Sequence, residues 1–310
     1  MDQSNTRKYV TYMSNDRDVI GVCVLNYSLK KHECKHQLVC VISERVSEGA
    51  VQKLQSYNIP TVLINERELY KSIGLTDVDD ILDKGWFGKL NIFGISQKIE
   101  GLEKIVFIDA DTLVLKNIDH LFDVPCQDMQ LHMTLDAFSD VKFTNYYLTN
   151  DKFNSGVFIS MPNQPLFELM INTLVNEIKQ ETLGRDDQHI FNKLNKNGSI
   201  KIEQLSLRYN MPPALHRVVD MYGFDDVHIY HYIGQQKPYL NNGILPYGDS
   251  EIYCKAYFAW HLCYNEMIKQ DKKKPNLYIV KEMKPTHQIF HIKHEENEVS
   301  MKFLVNEIPH

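Results

Sequence analysis

No run of about 18 consecutive apolar residues occurs in this chain, so no membrane-spanning helix is expected from it. The opening residues, Met1 to Lys8, are polar and carry no apolar core of the secretory-signal kind. The six cysteines (Cys23, Cys34, Cys40, Cys126, Cys254 and Cys263) form no C-x-x-C pair, which removes the commonest zinc and dithiol motifs. Cys23, Cys40 and Cys254 lie in apolar contexts and read as small core residues. These absences together lead to the expectation of a soluble protein in a reducing, cytoplasmic compartment. Positive charge is also short. Against 40 acidic residues stand 34 basic ones, a net charge of −6, which argues against nucleic acid or an anionic membrane as the main partner. The basic run Lys269 to Lys274 is interrupted by Asp271 and precedes Pro275, so it reads as a solvated linker. No internal repeat or low-complexity segment is present.

What is there is an ordinary globular composition, 43% hydrophobic and 24% charged over 310 residues, enough for one large α/β domain or two smaller ones. Short apolar runs alternate with amphipathic stretches through the first 160 residues. Strands are expected at Tyr9–Met13, Gln37–Ile42, Thr61–Ile64 and Lys104–Ile108, and helices at Val19–Leu29, Glu48–Tyr57 and Trp86–Ile99. That alternation implies a mainly parallel, Rossmann-like sheet with helices on both faces. Beyond Asp111, Gln130–Thr134 and Gly156–Met161 read as further strands, with Asp136–Asp151 between them as a polar, aromatic loop. Pro165–Lys179 has helical apolar spacing, Asp187–Leu194 reads as a second helix, and short strands are expected near Leu277–Val280 and Met301–Val305.

The most informative segment is Ile105-Val106-Phe107-Ile108-Asp109-Ala110-Asp111. Four apolar residues, mostly β-branched or aromatic, mark a strand buried on both faces. Two carboxylates follow where that strand should end, which is where open α/β sheets bind ligands. Asp109 and Asp111 are two apart and point the same way in extended chain. The small Ala110 between them permits close backbone approach. A hard divalent cation takes oxygen ligands of this kind together with substrate phosphates. Acid-x-acid triplets also occur in plain turns and helix caps, so this segment needs support from the rest of the chain.

Further patterns supply it, in a fixed order. Tyr9-Val10-Thr11-Tyr12-Met13-Ser14-Asn15-Asp16 is a strand ending in small polar residues. Gly85-Trp86-Phe87-Gly88-Lys89-Leu90 carries a lone lysine. Phe153-Asn154-Ser155-Gly156-Val157-Phe158, Asp187-Gln188 and His231-Tyr232-Ile233-Gly234-Gln235-Gln236-Lys237-Pro238 follow. Taken with Asp109-Ala110-Asp111, these resemble glycosyltransferase family 8, and within it the glycogenin branch, over roughly residues 9 to 241. The resemblance implies a GT-A type fold in a single domain over residues 1–265, with 266–310 as a C-terminal extension. It implies a retaining transfer of a hexose, glucose first, from a UDP-sugar to a hydroxyl acceptor. By the same resemblance Tyr12, Ser14 and Asn15 contact uridine and ribose. Asp109, Asp111 and His231 hold Mn²⁺, with Mg²⁺ as the alternative. Ala110 and Gly234 line the donor, Lys89 and Lys237 meet the diphosphate, and Asn154 and Ser155 face the donor sugar. Asp187 and Gln188 lie near the anomeric carbon. The acceptor, whether glycan, polyol or protein, stays open, as does a homodimer.

The chain departs from the family at identifiable places. Arg217 aligns where a self-glucosylating member carries its acceptor tyrosine, and Tyr222 is the nearest tyrosine downstream. Gly184 replaces an acid three residues before Asp187, Tyr239 replaces a tryptophan after Lys237-Pro238, and Asp18 replaces an aromatic in the first motif. A different acceptor, and a different sugar, are consistent with these changes. Two other readings compete. A nucleotidyltransferase also holds a metal on such a sheet, but needs an N-terminal Gly-rich phosphate loop that residues 9–21 lack. A non-catalytic protein of the same fold would not need Asp109, Asp111, Lys89, Asp187 and His231 together.

Overall fold

Hydrophobic alternation and local caps account for the elements of the N-terminal half. A computed structural model describes residues 6–75, 82, 87–139, 146–184, 186–213, 223–234, 237–240 and 251–270, and strands within 278–304. Gly85, Trp86, Arg217, Tyr222, Gln235, Gln236 and the basic run from Asp271 onward lie outside the described residues. Strands β1 (Arg7–Met13), β2 (Leu38–Ser43), β3 (Thr61–Ile64) and β4 (Lys104–Ile108) are rich in Val, Ile and aromatics. Helix α1 (Val19–Lys31) follows a 3₁₀ turn capped by Asn15, whose Oδ1 accepts from Arg17 N at 3.0 Å. Lys30 and Lys31 at its end complement the helix dipole. Helix α2 (Glu48–Ser56) is capped by Ser47, whose Oγ accepts from Ala50 N at 3.2 Å. Helix α3 (Glu66–Ser72) is capped by Asn65, whose Oδ1 accepts from Glu68 N at 3.1 Å.

β5 (Thr112–Val114) leads on to the long pair β6 (Gln130–Ser139) and β7 (Tyr146–Ser160). After them come α4 (Gln164–Lys179), α5 (Asp187–Lys196), β8 (Lys201–Gln204), β9 (Ile229–His231) and α6 (Glu251–Gln270). The main sheet has seven strands in the order β3-β2-β1-β4-β7-β6-β8, and only β7 runs against the rest. From β1 the chain builds outward to β3, then returns to place β4 on β1's other side. The β1/β4 boundary is therefore the topological switch point, where the carboxyl ends of neighbouring strands leave a crevice. β5 and β9 form a separate antiparallel ribbon with Thr112 opposite His231.

The parity of each strand divides the core. Tyr9, Met13, Val106 and Ile108 face one cluster with α1, α2 and α6, while Val10, Tyr12, Ile105 and Phe107 face the other with α4 and α5. In the second cluster Phe107 and Phe158 stack at 4.6 Å, and Phe93 and Phe191 join them at 5.6 and 5.8 Å from Phe158. These rings form the floor beneath the carboxyl end of β4.

One sequence expectation is corrected and another is refined. Asp136–Asp151 was expected to be a loop, yet β6 continues to Ser139 and β7 starts at Tyr146. Among the described residues, only Gln130–Met133 and Val157–Ser160 of that pair form ladders with other strands, so the remainder pairs with itself as a ribbon with two register shifts. The segment expected as a helix over Trp86–Ile99 is helical over Phe87–Gln97, in 3₁₀ form, and it packs its apolar residues into the second cluster. Near the C-terminus, β10 (Tyr278–Lys284), β11 (His287–His294) and β12 (Asn297–Leu304) form an antiparallel meander. No helix among the described residues is long and apolar enough to cross a membrane.

Candidate active site

The loop after β4 is pinned at three points. Asp109 N donates to Gly156 O on β7 at 2.8 Å, and Thr112 Oγ1 donates to Asp109 O at 2.7 Å. Tyr232 N, one residue past β9, donates to Asp111 O at 2.9 Å. The β5/β9 pairing then brings His231 to the same place. One ligand atom each from Asp109, Asp111 and His231 lies within 4.8 Å of the others, a cluster able to hold a metal ion. His231 Nε2 is 3.3 Å from Asp111 Oδ1 and 3.7 Å from Asp109 Oδ2. Gly156 is required beside it, because a Cβ there would overlap the imidazole ring.

The hydrogen bonds behind His231 fix its tautomer. Gly156 N donates to Asn154 Oδ1 at 2.9 Å, which identifies that atom as the amide oxygen. Asn154 Nδ2 donates to Asp136 Oδ1 at 3.0 Å, consistent with the same orientation. Asn210, 2% exposed, must therefore turn its Nδ2 to Asn154 Oδ1 (2.8 Å), and the same group also donates to Thr134 Oγ1 (2.9 Å). Its Oδ1 is left to accept from His231 Nδ1 at 2.8 Å. With Nδ1 donating to Asn210, Nε2 is the nitrogen turned to the two carboxylates, and once that nitrogen gives up its proton its lone pair faces them. A lone pair facing anions is satisfied by a cation, so the donor set fits a divalent metal.

Lys89 stands on the other side of Asp109. Its Nζ lies 3.0 Å from Asp109 Oδ1, 3.3 Å from Asp187 Oδ2, 3.3 Å from both Ser155 O and Ser155 Oγ, and 5.1 Å from the centre of the Phe107 ring. Asp187 opens α5, where the helix dipole favours its charge. Gln188 joins α5 to the same network, with Nε2 donating to Asp136 Oδ2 at 2.7 Å and Oε1 accepting from Ser155 N at 3.4 Å. Asn192 docks α5 on β7 as a strand would, accepting from Phe153 N at 2.8 Å and donating to Phe153 O at 2.9 Å. Lys237 Nζ pairs with Asp111 Oδ2 and donates to Tyr232 O at 2.9 Å.

The charges shift one another. Burial pushes the Asp109 carboxyl up to about 6, and the neighbouring Asp111 charge adds to this, against the pull of Lys89 and His231. Asp111 is held well below the usual carboxylate range, because Lys237 and His231 outweigh its own burial. The Lys89 ammonium is held above its usual range by Asp109 and Asp187, against the cost of burial. Two neighbouring carboxylates driven apart in this way are characteristic of a functional cluster.

Ser14 and Asn15 sit at the carboxyl end of β1, beside the switch point, with Asn15 Nδ2 donating to Ser14 Oγ at 3.2 Å. Tyr12 is otherwise committed. Its hydroxyl donates to the buried Glu66 Oε1 at 2.5 Å and its ring lies in the core, which leaves the backbone to face a ligand. Gly234 adopts φ +90°, a turn that glycine favours, between His231 and Lys237. The departures from the family are structurally coupled. Tyr239 Oη donates to Asp18 Oδ1 at 2.8 Å, so the two substituted positions are partners. At Gly184 a Cβ would overlap the His189 ring, and His189 in turn meets the buried Glu177 at 2.9 Å. Asp136, Asn210 and Thr134 escaped the sequence reading, for no motif spacing marks them. Asp136 fell in the stretch read as loop.

A mostly parallel sheet with an acid-x-acid loop at its switch point defines a GT-A type glycosyltransferase fold. The model of Glycosyl transferase family 8 matches residues 7–243, and the chain belongs to that family. Glycogenin of Neurospora crassa is 26% identical over 288 residues, covering 90% of this chain and 38% of the relative. Inositol phosphorylceramide glucuronosyltransferase 1 of Arabidopsis thaliana is 25% identical over 265 residues, 76% of this chain and 43% of the relative. The chain thus spans about four-tenths of the length of these two relatives. Among solved structures, the galactosyltransferase LgtC in complex with donor and acceptor sugar analogues matches with a TM-score of 0.59 at 17% identity, covering 84% of this chain and 95% of that one.

Proposed function

We propose that this protein is a metal-dependent, retaining hexosyltransferase that moves a sugar, glucose in the first instance, from a UDP-sugar to a hydroxyl acceptor. The observation that carries the reading is the convergence of Asp109, Asp111 and the His231 Nε2 lone pair at the β1/β4 switch point, flanked by Lys89 and Lys237. Asp109, Asp111 and His231 would hold Mn²⁺. Mixed carboxylate and imidazole ligation suits it better than Mg²⁺. When bound, the ion supplies positive charge to the diphosphate oxygens as the sugar–phosphate bond breaks.

The chain's own residues do the rest. Ser14, Asn15 and the Tyr12 backbone bind uridine and ribose. Lys237 donates to the diphosphate, and Lys89 supplies fixed positive charge where negative charge develops. Asn154, Ser155 and Asp136 present donors and acceptors to the sugar hydroxyls. Asp187, steered by Lys89, stands at the anomeric carbon's face, either as transient nucleophile or as the group that orients the acceptor for same-face attack. Both routes yield an α-linked product. Relatives named glycogenin support glucose, and the plant glucuronosyltransferase shows that sugar and acceptor vary among relatives. Arg217 at the aligned tyrosine position favours an external acceptor, whether glycan, polyol or another protein.

The test is incubation of the purified chain with UDP-glucose, UDP-galactose, UDP-glucuronate and UDP-N-acetylglucosamine in Mn²⁺, reading free UDP and intact protein mass together. UDP release with one donor and no mass gain supports the reading with an external acceptor or water. A mass gain in hexose steps would overturn the external-acceptor part, and no release from any donor, with glycan, polyol and protein acceptors also supplied, would remove the transferase reading.

A further inference from the structure

The two lysines of the site are held in different ways. Lys89 has five oxygen contacts on three residues and 9% side-chain exposure, so it is a fixed cation. Lys237 is 17% exposed and has two partners, the Asp111 carboxylate and Tyr232 O. The chain around it is held on both sides, by the Tyr232 N–Asp111 O backbone bond before it and by the Tyr239 hydroxyl on the Asp18 carboxylate after it. Between the tethers Gly234 makes a left-handed turn, and the ammonium of Lys237 stands at the end of a long, rotatable aliphatic stem.

We infer that Lys237 is an exchangeable counter-ion, which holds Asp111 in the empty donor cleft and passes to the diphosphate when metal and nucleotide load together. This rests on the proposed reading of the site and adds an order of events to it. The ammonium sits on Asp111 Oδ2 and His231 Nε2 faces Oδ1 of the same carboxylate, so a divalent cation entering between Asp111 and His231 shares that carboxylate with the ammonium and repels it. Metal entry at Asp111 therefore weakens the hold on Lys237 and favours its release. The charge count supports the exchange: Asp109, Asp111 and Asp187 stand against Lys89 and Lys237, one negative charge in excess. A divalent cation reverses that sign, and a diphosphate with two negative charges restores it while giving the released ammonium a new partner. Metal alone competes with Lys237, whereas metal and nucleoside diphosphate together do not. Linkage makes the coupling reciprocal, so each ligand tightens the other by the same factor. The Tyr239–Asp18 bond keeps the lysine within reach of both partners throughout.

The decisive experiment is titration of Mn²⁺ into the full chain by electron paramagnetic resonance, with and without UDP, for wild type, Lys237→Gln and Lys237→Arg. UDP affinity in saturating Mn²⁺ is measured in parallel by calorimetry. For Lys237→Gln the expected result is Mn²⁺ binding about 10-fold tighter without UDP and UDP binding about 10-fold weaker with Mn²⁺, within the usual span of coupling factors. Lys237→Arg keeps the charge and should stay within about 3-fold of wild type for Mn²⁺ alone, a rescue that loss of packing would not give. Mn²⁺ binding that is unchanged or weaker in a folded Lys237→Gln overturns the inference. Should that variant not fold, tighter Mn²⁺ binding in Lys237→Met supports the exchange and unchanged binding refutes it. If wild type binds no Mn²⁺ with or without UDP, it is the metal reading itself that falls.

Discussion

Replacing Asn210 by alanine tests the support beneath the metal cluster. The side chain makes three hydrogen bonds, accepting from His231 Nδ1 and donating to Thr134 and Asn154, in a setting 2% exposed. Asn154 Oδ1 keeps its bond from Gly156 N, so the main orphan is the His231 Nδ1–H. One buried donor left without a partner costs about 1–3 kcal/mol. With the two lost donor bonds, destabilisation of about 2–4 kcal/mol follows. That corresponds to a Tm lower by roughly 5–10 °C. The effect on the metal is separate. Without Asn210 the imidazole is free to rotate or change tautomer, and loss of such an orienting partner typically weakens metal binding about 10–100-fold. Mn²⁺ titration followed by thermal melts with and without the ion reads both quantities. A double-mutant cycle with His231→Ala sharpens the test, because the metal effect of Asn210→Ala must vanish once the imidazole is gone. A folded Asn210→Ala protein with wild-type Mn²⁺ affinity would refute the derived tautomer and the orienting role.

Three further outcomes follow from packing and charge. Gly156→Ala should abolish Mn²⁺ binding by pushing His231 aside, while far-ultraviolet circular dichroism stays native; retained binding would show that β7 can shift. Gly184→Asp, which restores the family's acid, should destabilise the chain because the His189 side chain, Cβ included, fills that space, and adding His189→Gly should recover part of the lost Tm; no recovery would place the clash elsewhere. His228 is held down to about 4, first by burial and then by Lys116, His120 and Arg208, against an ordinary value of 6.5. Folding therefore favours its neutral form: the contribution is complete above pH 6.5 and fades as pH falls toward 4. His228→Gln should lose less Tm between pH 7 and 5 than wild type does, and an identical loss would contradict this assignment.

The N-terminal strands and helices were legible because each apolar run has a clear period and a cap: Ser47 before α2 and the buried run before Asp109 are local signals. Lys89, Asp109, Asp111, Asp187, His231 and Lys237 were legible through ordered motifs, and the fold brings them into one cluster. Asn210 and Asp136 were not, since their meaning lies in contacts made across strands and helices distant in the chain. The Asp18–Tyr239 bond joins residues 221 apart, so each looked like an isolated departure from the family. The β6/β7 ribbon was hidden because its strands mix aromatics with Asp, Asn and Ser, a composition that also suits loops. Glu66, capping-end residue of α3 and partner of Tyr12, was hidden because a buried carboxylate has no sequence period.

Donor turnover in Asp111→Asn decides whether a metal is held by Asp109, Asp111 and His231 against a nucleotide-sugar. UDP release from the preferred UDP-sugar is followed in Mn²⁺ and in chelator, for wild type and for this nearly isosteric variant. Wild type should release UDP only with Mn²⁺ and not in chelator, and a folded Asp111→Asn should lose at least about 100-fold, as expected when a metal ligand is removed. Equal release by the variant, or release that survives the chelator, would contradict the metal assignment.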